Sequence, residues 1–209
     1  MDKATHTLRA FFAIDLDERA RSAVAEIVDH LRACPAGDAV RWVREDGLHV
    51  TLRFLGELDC GRITHLADCV REQTTALSPF RLQLGGTRPF PSRRRPLAMV
   101  LDVGPAEPLK ELADAVERGV VAAGFGPEPR PFRAHLTLGR IRGKHFPSVT
   151  GDVTTRGENC PVKEAVLFKS ELQPSGAHYT PIERAPLGGE PSPLLTETDQ
   201  SIYNPKVGG

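Results

Sequence analysis

Two short segments of the chain, LHVTLRFLG at residues 48–56 and AHLTLGRIR at residues 134–142, are near copies of each other. Each copy places a histidine and a threonine two positions apart in an otherwise aliphatic run. Side chains alternate across a β-strand, so the histidine and threonine of each copy lie on one face and the aliphatic residues on the other. A fold that contains both copies must therefore bury two aliphatic faces and turn two polar faces towards a cleft, a second core or solvent. The long separation of the copies indicates a duplicated element rather than a short-period solenoid.

The two histidines, His49 and His135, converge on one concave surface if a pseudo-twofold axis relates the copies. Because an unperturbed imidazole has a pKa of about 6.5, one ring can be neutral while the other is protonated near neutral pH. Such a pair suits phosphodiester cleavage, since one ring takes a proton from water and the other gives one to the leaving oxygen. The hydroxyls of Thr51 and Thr137 can donate hydrogen bonds to the phosphate oxygens. This scheme requires neither a metal ion nor a cofactor, and either histidine can fill either role.

Three arginines near the motifs are candidates for substrate binding, because a guanidinium binds phosphate oxygens in bidentate fashion. Strand alternation places Arg53 on the face of His49 and Arg133 on the face of His135. Arg140 has the opposite parity, so it qualifies only if the strand ends or bulges before it.

Other residues with functional potential have simpler structural interpretations. Trp42, the only tryptophan, is predicted to anchor the core rather than to stack on a base. The SRRR segment at 92–95 is predicted to be a solvated loop, with guidance of an RNA strand as the alternative. The remaining histidines lack the HxT frame and are interpreted as surface or loop residues, although His178 invites re-examination because Tyr179 follows it on a late strand. These histidines are His6, His30, His65, His145 and His178.

Apolar periodicity predicts a mixture of helices and strands without strict βαβ alternation, which is typical of an α+β fold. The predicted helices are 17–33, 60–77 and 106–123, with Asp17 as an N-cap and Gly124 as a C-cap. The predicted strands are 8–16, 40–43, 48–54, 80–86, 97–103, 132–141, 162–172 and 178–184. A proline- and arginine-rich loop at 88–104 is expected to lead into the fifth of these strands.

The 209-residue chain is predicted to form one domain over residues 1–185, built from two pseudo-repeats, and a tail over 186–209. The tail is rich in proline and glycine and has no periodicity, so we expect it to be flexible.

Charge and cysteine content exclude several classes of protein. The 27 basic and 27 acidic residues balance, which argues against a protein that coats duplex nucleic acid but permits a local phosphate pocket. No apolar run approaches the roughly 20 residues of a membrane-spanning helix, and acidic residues directly after the first apolar run argue against a signal peptide. The four cysteines lack CxxC spacing, so we expect reduced thiols in a cytoplasmic protein. The near-zero net charge and a self-contained double lobe favour a monomer, and we expect no contact with a membrane.

The ordered set of segments FFAIDL, RWVREDGLHVTLRFLGEL, RPFRAHLTLGRI and EAVLFKSEL resembles the two-histidine (2H) phosphoesterases. Within them it is most similar to the RNA 2′,3′-cyclic phosphodiesterases, historically called 2′-5′ RNA ligases. The resemblance runs from about residue 8 to residue 185 and leaves out only the ends of the chain.

The resemblance implies a bilobal fold, in which two pseudo-symmetric β-sheet lobes with outer helices enclose a central cleft. It also implies metal-independent hydrolysis, with His49 as proton donor to the leaving 3′-oxygen and His135 as proton acceptor from water. The product would be an RNA 2′-phosphomonoester, and the partners would be RNA ends or small cyclic-phosphate nucleotides.

Two other functions remain open on the sequence alone. The first is a 2H enzyme that acts on 2′-5′-linked RNA or on another cyclic nucleotide phosphodiester. The second is a non-catalytic module that holds an RNA terminus, although two intact histidines favour chemistry. The reversed assignment of donor and acceptor also stays open, because the two copies are nearly equivalent.

Overall fold

A computed structural model of the chain describes residues 6–35, 37–92, 94–142, 159–174 and 176–188. Within these ranges it contains three α-helices and nine strands. The helices are α1 (Glu18–Ala33), α2 (Ile63–Thr74) and α3 (Ala106–Ala122). The strands are β1 (Thr7–Asp15), β2 (Val40–Trp42), β3 (His49–Asp59), β4 (Phe80–Phe90), β5 (Ala98–Gly104), β6 (Leu136–Ile141), β7 (Asn159–Val162), β8 (Glu164–Gln173) and β9 (Gly176–Pro186).

The strands form two antiparallel sheets with related strand orders. Sheet A has the order β3-β1-β8-β9, and sheet B has the order β2-β6-β5-β4-β7. In sheet A the chain passes from β1 through α1 to β3, and in sheet B it passes from β5 through α3 to β6. Each HxT segment therefore lies beside the strand that precedes its helix, which is the duplication predicted from the sequence. The α+β fold with two pseudo-symmetric sheets is confirmed.

The predicted helices are confirmed with small changes at their ends. The Asp17 carboxylate caps α1 by accepting a hydrogen bond of 2.8 Å from the Ala20 amide. Gly124 follows α3 with a φ of +82°, the left-handed conformation that glycine adopts at a helix end. The buried face of α1 consists of the apolar residues that recur at helical spacing: Ala20, Val24, Ile27, Val28 and Leu31.

Four strand predictions were wrong in their extent. The segment 48–54 continues to Asp59. The segment 132–141 becomes a strand only at Leu136, and 80–86 continues to Phe90, so the predicted loop starts later. The segment 162–172 is divided, because β7 pairs with β4 in sheet B while β8 pairs with β1 in sheet A. Hydrophobic periodicity indicates which face of a strand is buried, but it does not indicate that the chain leaves one sheet and enters another. In the SRRR segment, Arg94 and Arg95 are exposed, and Arg93 lies outside the described residues.

Packed structure continues past residue 185, the predicted end of the domain. Pro186 ends β9, Leu187 is buried in the main core, and its amide donates to the Lys163 carbonyl at 2.8 Å. A single apolar residue after a strand has no periodicity to mark it. Residues 189–209, where the flexible tail is predicted, lie outside the described residues.

The apolar residues form two clusters on opposite faces of sheet A. The main core contains residues from both sheets and from the three helices. A smaller cluster on the other face of sheet A consists of Phe11, Ala13, Val166 and Phe168, with Tyr179 packed against it. Within the described ranges, no helix combines the length and the apolar character needed to cross a bilayer.

Candidate active site

A β-bulge interrupts both HxT strands at the same position of the motif. In β3, Thr51 lies opposite Ala13 and Arg53 lies opposite Phe12, so Leu52 is the extra residue. In β6, Thr137 lies opposite Val100 and Gly139 lies opposite Met99, which makes Leu138 the extra residue. A bulge of this kind reverses the inward and outward alternation of the residues that follow it.

The bulges decide which neighbouring arginine faces the cleft. Arg140 now shares the face of Thr137 and lines the same cavity, so the condition set by the sequence for Arg140 is met. The prediction that Arg53 lies on the face of His49 was wrong. Its side chain is only 11% exposed and points towards α3, with Nε 2.6 Å from the Glu117 carboxylate and Nη1 2.9 Å from that of Glu128.

One cavity of about 480 Å³ receives residues from both HxT motifs. His49, Thr51 and Thr137 line it, so the two sheets contribute to a single concave surface as the duplication predicts. His135 is not one of its lining residues. It lies close enough to His49, however, for its charge to contribute to lowering the His49 pKa.

The two imidazoles are held in the same way. His49 Nδ1 lies 2.9 Å from the Gly47 carbonyl oxygen, and His135 Nδ1 lies 2.7 Å from the Arg133 carbonyl oxygen. A carbonyl can only accept, so Nδ1 carries the proton in each ring and Nε2 is left for a substrate. Arg133 thus acts at this site through its backbone. Its side chain is exposed and precedes β6, so strand alternation does not apply to it.

His49 is enclosed by the smaller apolar cluster. Its ring centroid lies 4.7 Å from that of Phe11 and 5.0 Å from that of Tyr179, and Phe168 stacks at 6.3 Å. Burial among these rings lowers the pKa of His49 to about 4. The Gly47 carbonyl and the Asp15 carboxylate oppose this shift, whereas the positive charge of Arg21 adds to it.

His135 has a less enclosed setting. Its ring stacks on Phe90 at 4.4 Å with an interplanar angle of 18°. Burial lowers the pKa of His135 as well, by less than for His49, and the nearby Arg88 guanidinium lowers it further. Arg88 is itself paired with Asp102, with Nε 2.6 Å from the carboxylate.

Sequence reasoning missed the aromatic enclosure of His49. Phe11 and Phe12 were read as one apolar run, yet alternation sends Phe12 into the main core and Phe11 into the cleft-side cluster. The sequence did contain a signal for this arrangement, because a continuous apolar run is typical of a strand that is buried on both faces. His178 is exposed, and its neighbour Tyr179 is the residue that lines the cavity. Trp42 packs against the core as predicted and also lines the cavity, while its Nε1 donates to the Gly37 carbonyl at 3.0 Å.

Gly139 leads to a test of the second bulge. A Cβ atom at this position would lie 2.4 Å from Val40 Cγ1 and 3.1 Å from Trp42 Cε3. We expect Gly139→Ala to lower the free energy of unfolding by about 1–3 kcal/mol, because β2 must move aside. Urea denaturation measures the change. Gly126→Ala is the control, since a Cβ there meets nothing within 4 Å, and equal stability of the two variants would contradict the packing described for β2.

The family described as LigT like Phosphoesterase matches residues 14–99 and 101–179 of the chain. The chain belongs to the LigT-like phosphoesterases. Both HxT motifs, and all of the cavity-lining residues between them, fall within the matched ranges. The membership of the 2H phosphoesterases and the enzymatic character predicted from the sequence are thereby confirmed.

Individual LigT-like relatives agree in sequence and fold. The chain is 33% identical over 181 residues to the RNA 2′,3′-cyclic phosphodiesterase of Methanothermobacter thermautotrophicus, covering 84% of this chain and 97% of that protein. A crystal structure of a Thermus thermophilus protein aligns with a TM-score of 0.74 at 30% identity, over 88% of this chain and all of that one. Escherichia coli LigT complexed with 3′-AMP aligns with a TM-score of 0.72 at 29% identity, over 88% of this chain and 100% of that one.

Among the described residues, no group of three or more histidine, cysteine, aspartate or glutamate side chains is placed to hold a metal ion. Independence from metals therefore stays a prediction for experiment.

Proposed function

We propose that this protein hydrolyses RNA 2′,3′-cyclic phosphodiester ends to 2′-phosphomonoesters, with His49 and His135 as acid and base and without a metal ion. The observation that carries the proposal is the matched anchoring of the two imidazoles, each of which donates from Nδ1 to a backbone carbonyl. Both rings thus keep Nε2 for a substrate. The relatives named RNA 2′,3′-cyclic phosphodiesterases, at 27–34% identity, support the choice of substrate.

The chemical step requires two proton transfers at one phosphorus. Water attacks phosphorus and gives a proton to the neutral Nε2 of one histidine, while the P–O3′ bond breaks and O3′ takes a proton from the Nε2–H of the other. The oxygen of water becomes part of the 2′-phosphomonoester, and the 3′-hydroxyl is restored. Thr51 and Thr137 donate hydrogen bonds to the non-bridging oxygens, and Arg140 is the guanidinium on the same face that can pair with them.

The assignment of donor and acceptor has two candidate forms. The family resemblance makes His49 the donor and His135 the acceptor. The lower pKa of His49 favours the reverse, because His135 holds a proton more readily in the free protein. We adopt the first form, in which the anionic phosphate raises the pKa of His49 on binding and so allows it to carry its proton.

The proposal predicts the pH dependence of the reaction. Catalysis needs one protonated and one neutral histidine, so kcat/KM is greatest midway between the two pKa values of the free enzyme. Both pKa values lie below the ordinary 6.5, so we expect a bell-shaped pH profile of kcat/KM with its maximum below pH 6.5. The pH profile of kcat should have its maximum at higher pH, because bound phosphate raises both pKa values. Rates on a 2′,3′-cyclic nucleotide in excess EDTA measure both profiles, and a kcat/KM maximum above pH 7 would contradict the burial-lowered pKa values.

Two alternative functions make different predictions for the same assay. A 2H enzyme for 2′-5′-linked RNA or another cyclic nucleotide would leave 2′,3′-cyclic ends unchanged and cleave one of those substrates instead. A module that only holds an RNA terminus would leave every one of these substrates unchanged at high protein concentration. Crystal structures of E. coli LigT with 3′-AMP and with ATP support nucleotides as ligands of the fold.

A monomeric state and a cytoplasmic location complete the proposal. Size-exclusion chromatography with light scattering tests the first, and fractionation of cells that express the protein tests the second.

A further inference from the structure

Arg53 forms a largely buried ionic cluster between the two halves of the molecule. Its side chain, 11% exposed, leaves β3 two residues after Thr51 and points towards α3. Nε lies 2.6 Å from the Glu117 carboxylate in an ion pair, a contact without hydrogen-bond geometry. Nη1 donates to the Glu128 carboxylate at 2.9 Å, and Nη2 donates to the Gly126 carbonyl at 2.6 Å. One guanidinium thus holds three groups at once, which its planar fork of donors allows.

The three groups that Arg53 holds belong to the second half of the chain. Glu117 lies in α3, and the other two lie in the loop of residues 123–135 that joins α3 to β6. The Glu128 amide donates to the Glu117 carboxylate at 2.8 Å, which ties the loop to the helix. Burial raises the pKa of Glu128, but the hydrogen bond and charge of Arg130, together with the charge of Arg53, lower it overall. Glu128 is therefore an anion that the positive charge of Arg53 can hold.

The same loop carries the anchor of His135. Its residues 126–134 belong to no helix or strand, and within the described part of the chain the hydrogen bonds to their backbone come from side chains. One of these bonds joins His135 Nδ1 to the Arg133 carbonyl at 2.7 Å. The direction of the His135 ring therefore depends on where the loop lies, and Arg53 fixes the middle of that loop from the other half of the molecule.

The two copies of the motif differ in this respect. Gly139 takes, in the second copy, the position that Arg53 takes in the first, so it offers no side chain to the other half. The Gly47 carbonyl that anchors His49 belongs to a 3₁₀ turn with backbone hydrogen bonds of its own. His135, in contrast, is anchored by a segment whose position depends on a side chain from the first half.

We propose that Arg53 is a positioning residue for His135, because it fixes the loop whose Arg133 carbonyl orients the imidazole. An apolar side chain of similar volume would hold α3 against β3 at least as well, so the ionic cluster indicates a need for fixed geometry rather than for stability. The inference rests on the proposed function, in which His135 transfers a proton. It gives the first motif a second task, which is to align the histidine of the other motif.

Removal of the guanidinium should affect turnover more than substrate binding. Arg53→Met is expected to lower kcat on a 2′,3′-cyclic nucleotide in EDTA by roughly 10–10²-fold, the cost of a misplaced proton carrier. KM should change by less than about threefold, because Thr51, Thr137 and Arg140 still line the cavity. In a His135→Ala background the same substitution should lower kcat by less than about threefold, since the ring on which Arg53 acts is gone.

A second variant separates positioning from folding. Arg53→Met leaves two carboxylates without their guanidinium, which destabilises a buried cluster. The triple variant Arg53→Met, Glu117→Gln, Glu128→Gln removes these charges, so we expect it to resist urea better than the single variant and to keep the same low kcat. Arg71→Met is the matched control, because Arg71 joins α2 to β9 through Glu183 and does not line the cavity. It should be less stable than the wild-type protein and have an unchanged kcat.

Nitrogen-15 NMR of the histidine rings, at a pH above both ring pKa values, measures the geometry without turnover. In the wild-type protein we expect His135 to be fixed as the Nδ1–H tautomer. In the triple variant it should populate both tautomers, because the Arg133 carbonyl is no longer held against the ring. His49 should keep its tautomer in both proteins, since the Gly47 carbonyl does not depend on Arg53. The single variants His49→Ala and His135→Ala assign the two resonances.

The outcomes separate the positioning role from the reaction that it serves. A wild-type kcat in the triple variant, or an unchanged His135 tautomer, would overturn the inference while hydrolysis stands. An equal loss of kcat in the wild-type and His135→Ala backgrounds would overturn it as well, because Arg53 would then act through the fold or through Thr51. If the wild-type protein hydrolyses no cyclic substrate, the proposed function fails, and the NMR measurement alone decides whether Arg53 orients His135.

Discussion

Replacing either His49 or His135 with alanine is expected to lower kcat on a 2′,3′-cyclic nucleotide by roughly 10²–10⁴-fold, the usual contribution of one positioned proton transfer. Steady-state rates in EDTA measure the loss. Within the part of the chain that the structure describes, each ring is held through Nδ1, packs against at least one aromatic ring and forms no ion pair. Alanine therefore removes the proton carrier without breaking an ion pair there. Circular dichroism establishes that the variants remain folded.

The double variant and a matched control make this result specific. Both transfers occur in one reaction, so we expect the double variant to lose less than the product of the single losses, as residues that act as a unit do. His178→Ala is the control, because His178 is an exposed histidine beside the cavity-lining Tyr179. Full activity in the double variant, or an equal loss in His178→Ala, would contradict the two-histidine mechanism.

A sulfur leaving group is expected to identify the proton donor. When sulfur replaces the bridging 3′-oxygen of the cyclic substrate, the leaving thiolate needs no proton, since a thiol has a pKa of about 8.5 and an alcohol is far less acidic. We expect His49→Gln to recover most of its deficit, on the order of 10²-fold or more, with this substrate. His135→Gln should recover none, because water must still lose its proton.

The same experiment tests the competing assignment. Recovery in His135→Gln, with none in His49→Gln, would establish the order that the lower pKa of His49 favours in the free protein. Recovery in neither variant would contradict a general acid at either histidine. Hydrolysis of the sulfur substrate by the wild-type protein is the reference for both.

The sequence predicted the part of the candidate site that the two HxT motifs form, because the motif repeats there. Two HxT frames in aliphatic surroundings place His49, Thr51 and Thr137 on one cavity, and the same repetition predicts two related sheets. The α1 helix could also be predicted, since its buried residues recur at helical spacing after the Asp17 N-cap. Features that depend on local period and on duplication are therefore present in the sequence itself.

The sequence did not reveal the geometry after each motif. Strand alternation assumes an unbroken ladder, and an extra residue in that ladder, Leu52 or Leu138, cannot be distinguished from an ordinary aliphatic residue by its type. This is why Arg53 was assigned to the cleft and is instead bound to Glu117 and Glu128. The conditional prediction for Arg140 succeeded because it allowed for a bulge.

The environment of His49 could not be predicted from the sequence either. Phe11 in β1 is far along the chain from Phe168 and Tyr179 in the β8–β9 hairpin, and only the pairing of these strands in sheet A brings the three rings around His49. The pKa of His49 follows from this tertiary arrangement, so no local pattern could have indicated it.

The most direct test of the two-histidine mechanism is phosphorus NMR of one reaction, a 2′,3′-cyclic nucleotide incubated with the protein in excess EDTA. We expect the cyclic phosphate resonance to be replaced by that of the 2′-phosphomonoester, and the His49→Ala, His135→Ala double variant to leave the cyclic resonance unchanged. A 3′-phosphomonoester, loss of activity in EDTA, or continued turnover by the double variant would contradict it.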